Sequence, residues 1–259
     1  MAQFSRYLGI DYSGAQTPTS SLPGLRVYSA TPAGGPVEIQ PPPSARKYFT
    51  RQGLAEWLEK ELRDGPPTLV GIDHAVSFPL RYFEVHRIPP DWPAFLEDFQ
   101  SHWPTDEPTM YVDFIRKGMC GRGAERTGAS RWRRLTEERC RGKSVFHFDV
   151  QGSVAKSTHA GLPWLLVLRR QLGARVHFWP FDGWTPPPGV SVLAEAYPAL
   201  WSRTFPSEDR NGHQHDAYSI ARWMRERDAA EELGAQFEPD LNPTLRGLAQ
   251  VEGWIIGVA

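Results

Sequence analysis

Four acidic residues occupy positions at which a chain can do chemistry. Asp11 follows the apolar run Tyr-Leu-Gly-Ile, Asp73 follows Leu-Val-Gly-Ile, Glu195 follows Ser-Val-Leu-Ala, and Asp216 opens a long amphipathic pattern. Functional groups gather outside the carboxyl ends of parallel strands, so these carboxylates are expected to converge there. Packed carboxylates repel one another unless a cation neutralises them, and oxygen ligands suit Mg²⁺ or Mn²⁺. The pattern therefore predicts a metal site for displacement at phosphorus.

Each acid also has a simpler interpretation. Aspartate is common at strand ends because it hydrogen-bonds nearby backbone, and Asp216 is favoured at a helix start by the helix dipole. The tripeptide Gly-Ile-Asp occurs twice, at Asp11 and at Asp73, and this repetition favours a shared cluster. His213 and His215 beside Asp216 also allow a zinc site, although no further spaced ligands accompany them.

The elements that must position these acids are strands and helices in one α/β domain over residues 1–259. Apolar or alternating runs predict strands at residues 6–12, 24–30, 36–40, 67–75, 175–183 and 190–198. Helical periodicity predicts helices at residues 51–65, 154–173 and 213–233. The first three strands, joined by short turns, are typical of an antiparallel meander.

Residues 81–145 predict an irregular or helical insertion that is rich in aromatic residues, proline and charge. Residues 116–143 contain ten Lys or Arg against three Glu, a local net of +7 that the whole-chain charge of −1 conceals. Such a segment can contact phosphates and stack on bases, or it can be a solvated helix face or a mobile loop. The candidate nucleic-acid contacts are Arg131, Arg133, Arg134, Lys143 and Trp132.

Composition argues against several other classes of protein. The chain has 259 residues with only two cysteines, Cys120 and Cys140, and these lack the spacing of a zinc knuckle or a disulfide framework. No run approaches the roughly 20 apolar residues of a membrane span. Because no signal peptide is evident, the expected location is cytoplasmic, without a membrane partner. The oligomeric state is left open.

The motifs at residues 9–15, 71–79, 194–200 and 215–224, "GIDYSGA", "GIDHAVSFP", "AEAYPAL" and "HDAYSIARWM", resemble an uncharacterised family of predicted nucleases with a ribonuclease H-like fold. The last motif is similar to the resolvase-like branch of that superfamily, with His213 in the first acidic position. The resemblance covers about residues 6–80 and 145–230. It implies a mixed five-stranded sheet flanked by helices, with Asp11, Asp73, Glu195 and Asp216 as metal ligands. It also implies that His213 or His215 is a ligand or a proton-transfer group.

The favoured hypothesis is a metal-dependent nuclease that hydrolyses phosphodiester bonds of DNA or RNA with Mg²⁺ or Mn²⁺. One alternative is a catalytically silent nucleic-acid-binding module, in which the basic insertion matters and the acids only end strands. Another is an ATP-dependent phosphotransferase of the actin-like kinase type, which usually needs a second domain and a Gly-rich loop.

Overall fold

The computed structural model describes residues 2–42 and 46–259, and within them it shows one mixed sheet flanked by helices. Strands β1 to β6 are Arg6–Asp11, Arg26–Ala30, Val37–Glu38, Thr68–Asp73, Val176–Phe178 and Ser191–Glu195. They lie in the order β3-β2-β1-β4-β6-β5. The α/β class is confirmed, and the sheet has six strands, not the five that the resemblance implies, because β5, within the strand predicted at residues 175–183, pairs at the edge beside β6.

The sheet has an antiparallel half and a parallel half. β1 pairs antiparallel with β2, and β2 with β3, which confirms the predicted meander. β1, β4, β6 and β5 run parallel to one another. Because the central strands β1 and β4 are parallel, both end at the same edge of the sheet. That edge carries the candidate site.

Helices cover both faces of the sheet. Helices α1 to α9 are Arg51–Asp64, Leu80–His86, Trp92–His102, Val112–Arg116, Leu135–Arg139, Ala155–Leu172, Gly212–Ala229, Leu233–Gln236 and Pro243–Glu252. The starts of α1 and α7 follow from their capping residues, since Thr50 Oγ1 accepts a hydrogen bond from Gly53 N and Asn211 Oδ1 accepts one from Gln214 N. The three helices predicted from periodicity correspond to α1, α6 and α7.

Alternating strand residues supply two hydrophobic cores. Leu8, Ile10, Val70 and Ile72 point to the core that includes buried residues of α1 and α6. The residues between them face α7, whose buried Ile220 and its neighbours form the second core. Because side chains alternate along a strand, Asp11 and Asp73 lie on the α7 face, two residues beyond the glycines of their Gly-Ile-Asp tripeptides.

The predicted insertion contributes to the first core. Residues 81–145, all described, contain helices α2 to α5 in whole or in part and no strand. Phe83, Phe95, Phe99 and Trp103 in this segment are fully buried, and the nearby Phe78 ring contacts those of Phe95 and Phe99 edge-on. In the described parts of the chain, no helix has the length and apolar character needed to cross a membrane.

Candidate active site

Asp11 and Asp73 lie side by side at the carboxyl edge of the sheet. The parallel register of β1 and β4 pairs Gly9 with Gly71, and Asp11 with Asp73. Hydrogen-bonded strands lie roughly 4.8 Å apart, so the two Cα atoms are close enough for the carboxylates to share a cation. The repeated tripeptide is therefore a pair of neighbours in space.

Helix α7 brings the third acid, Asp216, to this edge because glycines let the helix approach the sheet closely. A Cβ atom at Gly9 would lie 2.1 Å from the Ala217 carbonyl oxygen, and one at Gly71 would lie 2.5 Å from Ile220 Cγ2. Any side chain there would push the first turns of α7 away from the strands. Asp216 directly precedes Ala217, so this contact sets its distance from Asp11.

The pKa shifts show that the acids influence one another. The pKa of Asp73 is raised well above its usual value by burial and then by the charges of Asp11, Asp216 and Glu195. Burial and the Asp11 charge raise the pKa of Asp216 to about 6, against smaller opposing effects of His215 and His213. Hydrogen bonds and ion pairs among the described residues involve neither the Asp73 nor the Asp216 carboxylate. The raised pKa values of Asp73 and Asp216 thus show that their charged forms have little local compensation.

His213 is the imidazole that contacts the cluster. Its Nδ1 lies 2.6 Å from Asp11 Oδ2, and its side chain is 61% exposed while that of Asp11 is 9% exposed. The hydrogen bond raises the pKa of His213, whereas burial raises that of Asp11 despite the opposing effect of the imidazole. Gly24 leaves room for the ring, since a Cβ atom there would lie 3.3 Å from its Nε2.

His215 has different partners from His213. Its Nε2 is hydrogen-bonded to the Ser202 carbonyl oxygen at 2.9 Å, and its ring stacks on Tyr218. The two histidines, which the sequence offered together as a zinc pair, therefore have different partners. His213 is hydrogen-bonded to Asp11, whereas His215 acts on Asp216 only through its charge.

Glu195 is paired with an arginine. Its Oε1 and Oε2 accept hydrogen bonds from Arg134 Nη2 and Nη1, each at 2.6 Å, and the Val76 amide donates to Oε2 at 3.2 Å. Arg134 Nε also donates to Glu137 Oε1 at 2.9 Å. The side chains of Arg134 and Glu195 are 1% and 4% exposed. Glu195 lies near Asp73, opposite Ile72 in the β4–β6 register, but its charge is already neutralised.

The turn after β1 is fixed by backbone contacts. Arg51 is fully buried and donates to the carbonyl oxygens of Ser13, Ala15 and Gln16 at 3.2, 2.7 and 2.8 Å. A Cβ atom at Gly14 would lie 2.0 Å from the Lys156 carbonyl oxygen, so only glycine fits against the start of α6. This turn therefore packs on α6 while Asp11 faces α7.

The candidate nucleic-acid contacts are in different environments. Arg131 and Arg133 are exposed, and Trp132 is half-buried with its ring edge-on to Phe146. Lys143 lines a cleft together with Asp73, Glu195 and Tyr197, and its Nζ donates to the Gln151 carbonyl oxygen. Arg134, in contrast, lies in the interior, where the Glu195 pair occupies it.

Two further residues lie at the candidate site but were not among the predicted site residues, although the sequence carries a weak signal for each. Arg26 stands opposite Asp11 in the β1–β2 register, and its charge lowers the pKa of that acid. Tyr197, directly after Glu195-Ala196, lines the Asp73 cleft.

In the part of the chain that the structure describes, no three His, Cys, Asp or Glu side chains converge closely enough to hold a metal ion as they stand. Comparisons of the chain with protein-family models, curated proteins and solved structures found no match.

Proposed function

We propose that the protein is a metal-dependent phosphodiester hydrolase of the ribonuclease H type, acting on DNA or RNA. The observation that carries the proposal is the pairing of Asp11 with Asp73 at the carboxyl edge of two parallel strands, where burial and then the charges of Asp11 and Asp216 raise the pKa of Asp73. A carboxylate cluster of this kind destabilises the folded state unless a bound cation neutralises its charge.

The donor set fits Mg²⁺ or Mn²⁺ in its chemistry. Asp73 and Asp216 carry oxygen ligands with no protein cation bonded to them among the described residues, and both ions prefer such oxygens. Asp11, Asp73 and Asp216 would hold the ion after rotation of their side chains. When bound, a divalent ion supplies an activated water and charge stabilisation for attack at phosphorus.

His213 has the geometry of a proton-transfer group. Its Nδ1 is held by Asp11 at 2.6 Å, which fixes the orientation of the ring. The ring is largely exposed, so its second nitrogen, Nε2, is accessible to a proton on a reacting oxygen or water. A carboxylate that orients an imidazole in this way is a recurring device of hydrolytic sites.

The order of elements supports the ribonuclease H-like assignment. A meander of β1 to β3 is followed by α1, an acid-ending β4, a later acid-ending β6 and an acid-bearing α7. This is the order that the resemblance implies. The additional edge strand β5 and the helical insertion lie outside that pattern.

The basic surface of the insertion favours a nucleic-acid substrate. Arg131 and Arg133 are exposed and can contact phosphates, and Lys143 lies in the same cleft as Asp73. Trp132 is only half-buried, so part of its ring is available for base stacking. Arg134 is not part of this surface, because it is buried.

The test is cleavage of labelled single-stranded, duplex and branched DNA and RNA with Mg²⁺ or Mn²⁺. We expect turnover by the wild type, its loss in EDTA, and its loss in the double variant Asp11→Asn with Asp73→Asn. Asp240→Asn, an exposed acid distant in sequence from both tripeptides, is the matched control and should retain activity. Equal cleavage by the wild type and the double variant would overturn the proposal. Salt-sensitive binding without turnover would favour a non-catalytic binding module.

A further inference from the structure

The ion pair between Arg134 and Glu195 joins the insertion to the candidate site. Arg134 precedes α5 in the insertion, and Glu195 ends β6 beside Asp73. The pair is bidentate, with both contacts at 2.6 Å, and both side chains are almost completely buried. A guanidinium stays charged at every accessible pH, so Arg134 does not lose its charge in this pair as the pH changes.

The other acids have no such partner. Asp11 is bonded to an imidazole, and no cationic group in the described chain bonds to Asp73 or Asp216. Glu195 differs also in its hydrogen bonds, because the Val76 amide donates to the same oxygen that Arg134 Nη1 contacts. Separating this pair would leave the buried Glu195 carboxylate uncompensated, while Arg134 would keep its ion pair with Glu137, and an unpaired buried charge is strongly unfavourable.

We propose that Arg134 is a positioning residue that withdraws Glu195 from cation binding and so limits the site to one divalent ion, held by Asp11, Asp73 and Asp216. This inference rests on the proposed function. A second ion about 4 Å from the first needs further carboxylate oxygens, and Glu195 is the nearest acid on β6 to supply them. Arg134 occupies both of its oxygens. The basic insertion thus acts on the metal site through a buried arginine, independently of its exposed ones.

The experiment is a calorimetric titration of the full-length chain with Mn²⁺ alone. The wild type is expected to bind one ion. Asp73→Asn removes a proposed ligand and should weaken that binding by at least about tenfold, since even changes to the residues that only orient ligands cost roughly 10–100-fold. In Arg134→Gln, Glu195 is freed and the stoichiometry should rise to two.

The double variant Arg134→Met with Glu195→Met is the matched control. It removes one positive and one negative charge together and leaves the buried Glu137 without its arginine partner, so its folding is checked first by circular dichroism. Its affinity for Mn²⁺ should stay within about threefold of wild type, less than the tenfold or greater loss expected at a ligand. If circular dichroism shows the double variant unfolded, Glu195→Gln serves the same comparison with one more positive net charge.

The outcomes separate the two proposals. Two ions in the wild type, or at least a tenfold loss of affinity in the double variant, overturn the role of Arg134 while leaving the hydrolase proposal intact. One ion in both the wild type and Arg134→Gln, with circular dichroism showing that the variant is folded, also overturns it. Absence of Mn²⁺ binding in the wild type overturns both.

Discussion

Replacing Asp216 by asparagine is expected to stabilise the metal-free protein at pH 8. The folded pKa of Asp216 is about 6, raised by burial and by the charge of Asp11 from its usual 3.8. A carboxylate with a raised pKa destabilises the folded state at every pH above that value. As the pH falls through 6 toward 3.8 the folded carboxyl takes up a proton first, so the destabilisation fades.

The magnitude follows from the size of that shift. A difference of about 2.2 pKa units corresponds to about 3 kcal/mol at pH 8. Asp216 is only partly buried, so solvent screening reduces this figure to roughly 1–2 kcal/mol. At pH 4, about a fifth of the effect should remain. The variant should therefore be more stable than the wild type at pH 8 and nearly equal to it at pH 4.

Urea unfolding in EDTA at the two pH values measures this difference, with Asp240→Asn as an exposed control that should change little at either. Mg²⁺ should then stabilise the wild type more than Asp216→Asn, because the variant has lost one proposed ligand. A variant that is less stable than the wild type at pH 8 in EDTA would refute the reasoning, since Asp216 would then be stabilised by an interaction other than the cluster.

Two further predictions concern the fold that carries the site. Burial in an aromatic cluster lowers the pKa of His159 to about 3, so the folded state excludes a proton that the unfolded chain binds below pH 6.5. Relative to His159→Phe, the wild type should therefore lose about 2 kcal/mol of unfolding free energy between pH 7 and pH 5, as measured by urea titrations. Gly9→Val should lower the unfolding free energy by roughly 3 kcal/mol or more, because its Cβ would lie 2.1 Å from the Ala217 carbonyl oxygen. Gly35→Ala is the control, because a Cβ atom there has nothing within 4 Å. Equal thermal midpoints for the two variants would contradict the close packing of α7 on the sheet.

The strands and the main helices were predictable because their patterns are local. Alternation and apolar runs identify the strands, and Thr50 and Asn211 mark helix starts by capping. The pairing of Asp11 with Asp73 was suggested by the repeated Gly-Ile-Asp, since equal tripeptides at two strand ends fit a shared register. The sixth strand departs from the five of the resemblance because β5 adds to the edge of β6.

The partner of Glu195 was not predictable in the same way. Arg134 lies 61 residues earlier, among nine other basic residues of similar appearance, and only tertiary packing selects it. Charge counting treats the segment as one basic patch, whereas the structure buries Arg134 and exposes Arg131 and Arg133. A buried glutamate at the end of an apolar strand does require a cation, but the sequence does not say which one.

The packing around the carboxylate cluster lowers the stability of the folded protein. Gly9 and Gly71 weaken their strands, yet both are required for α7 to approach the sheet. That approach places Asp216 against Asp11 and raises the pKa of Asp216. Asparagine at the same positions would end the strands equally well without the repulsion. Two glycines within strands and three acids at one sheet edge each lower the free energy of unfolding, and this combination supports the proposal that a cation binds there.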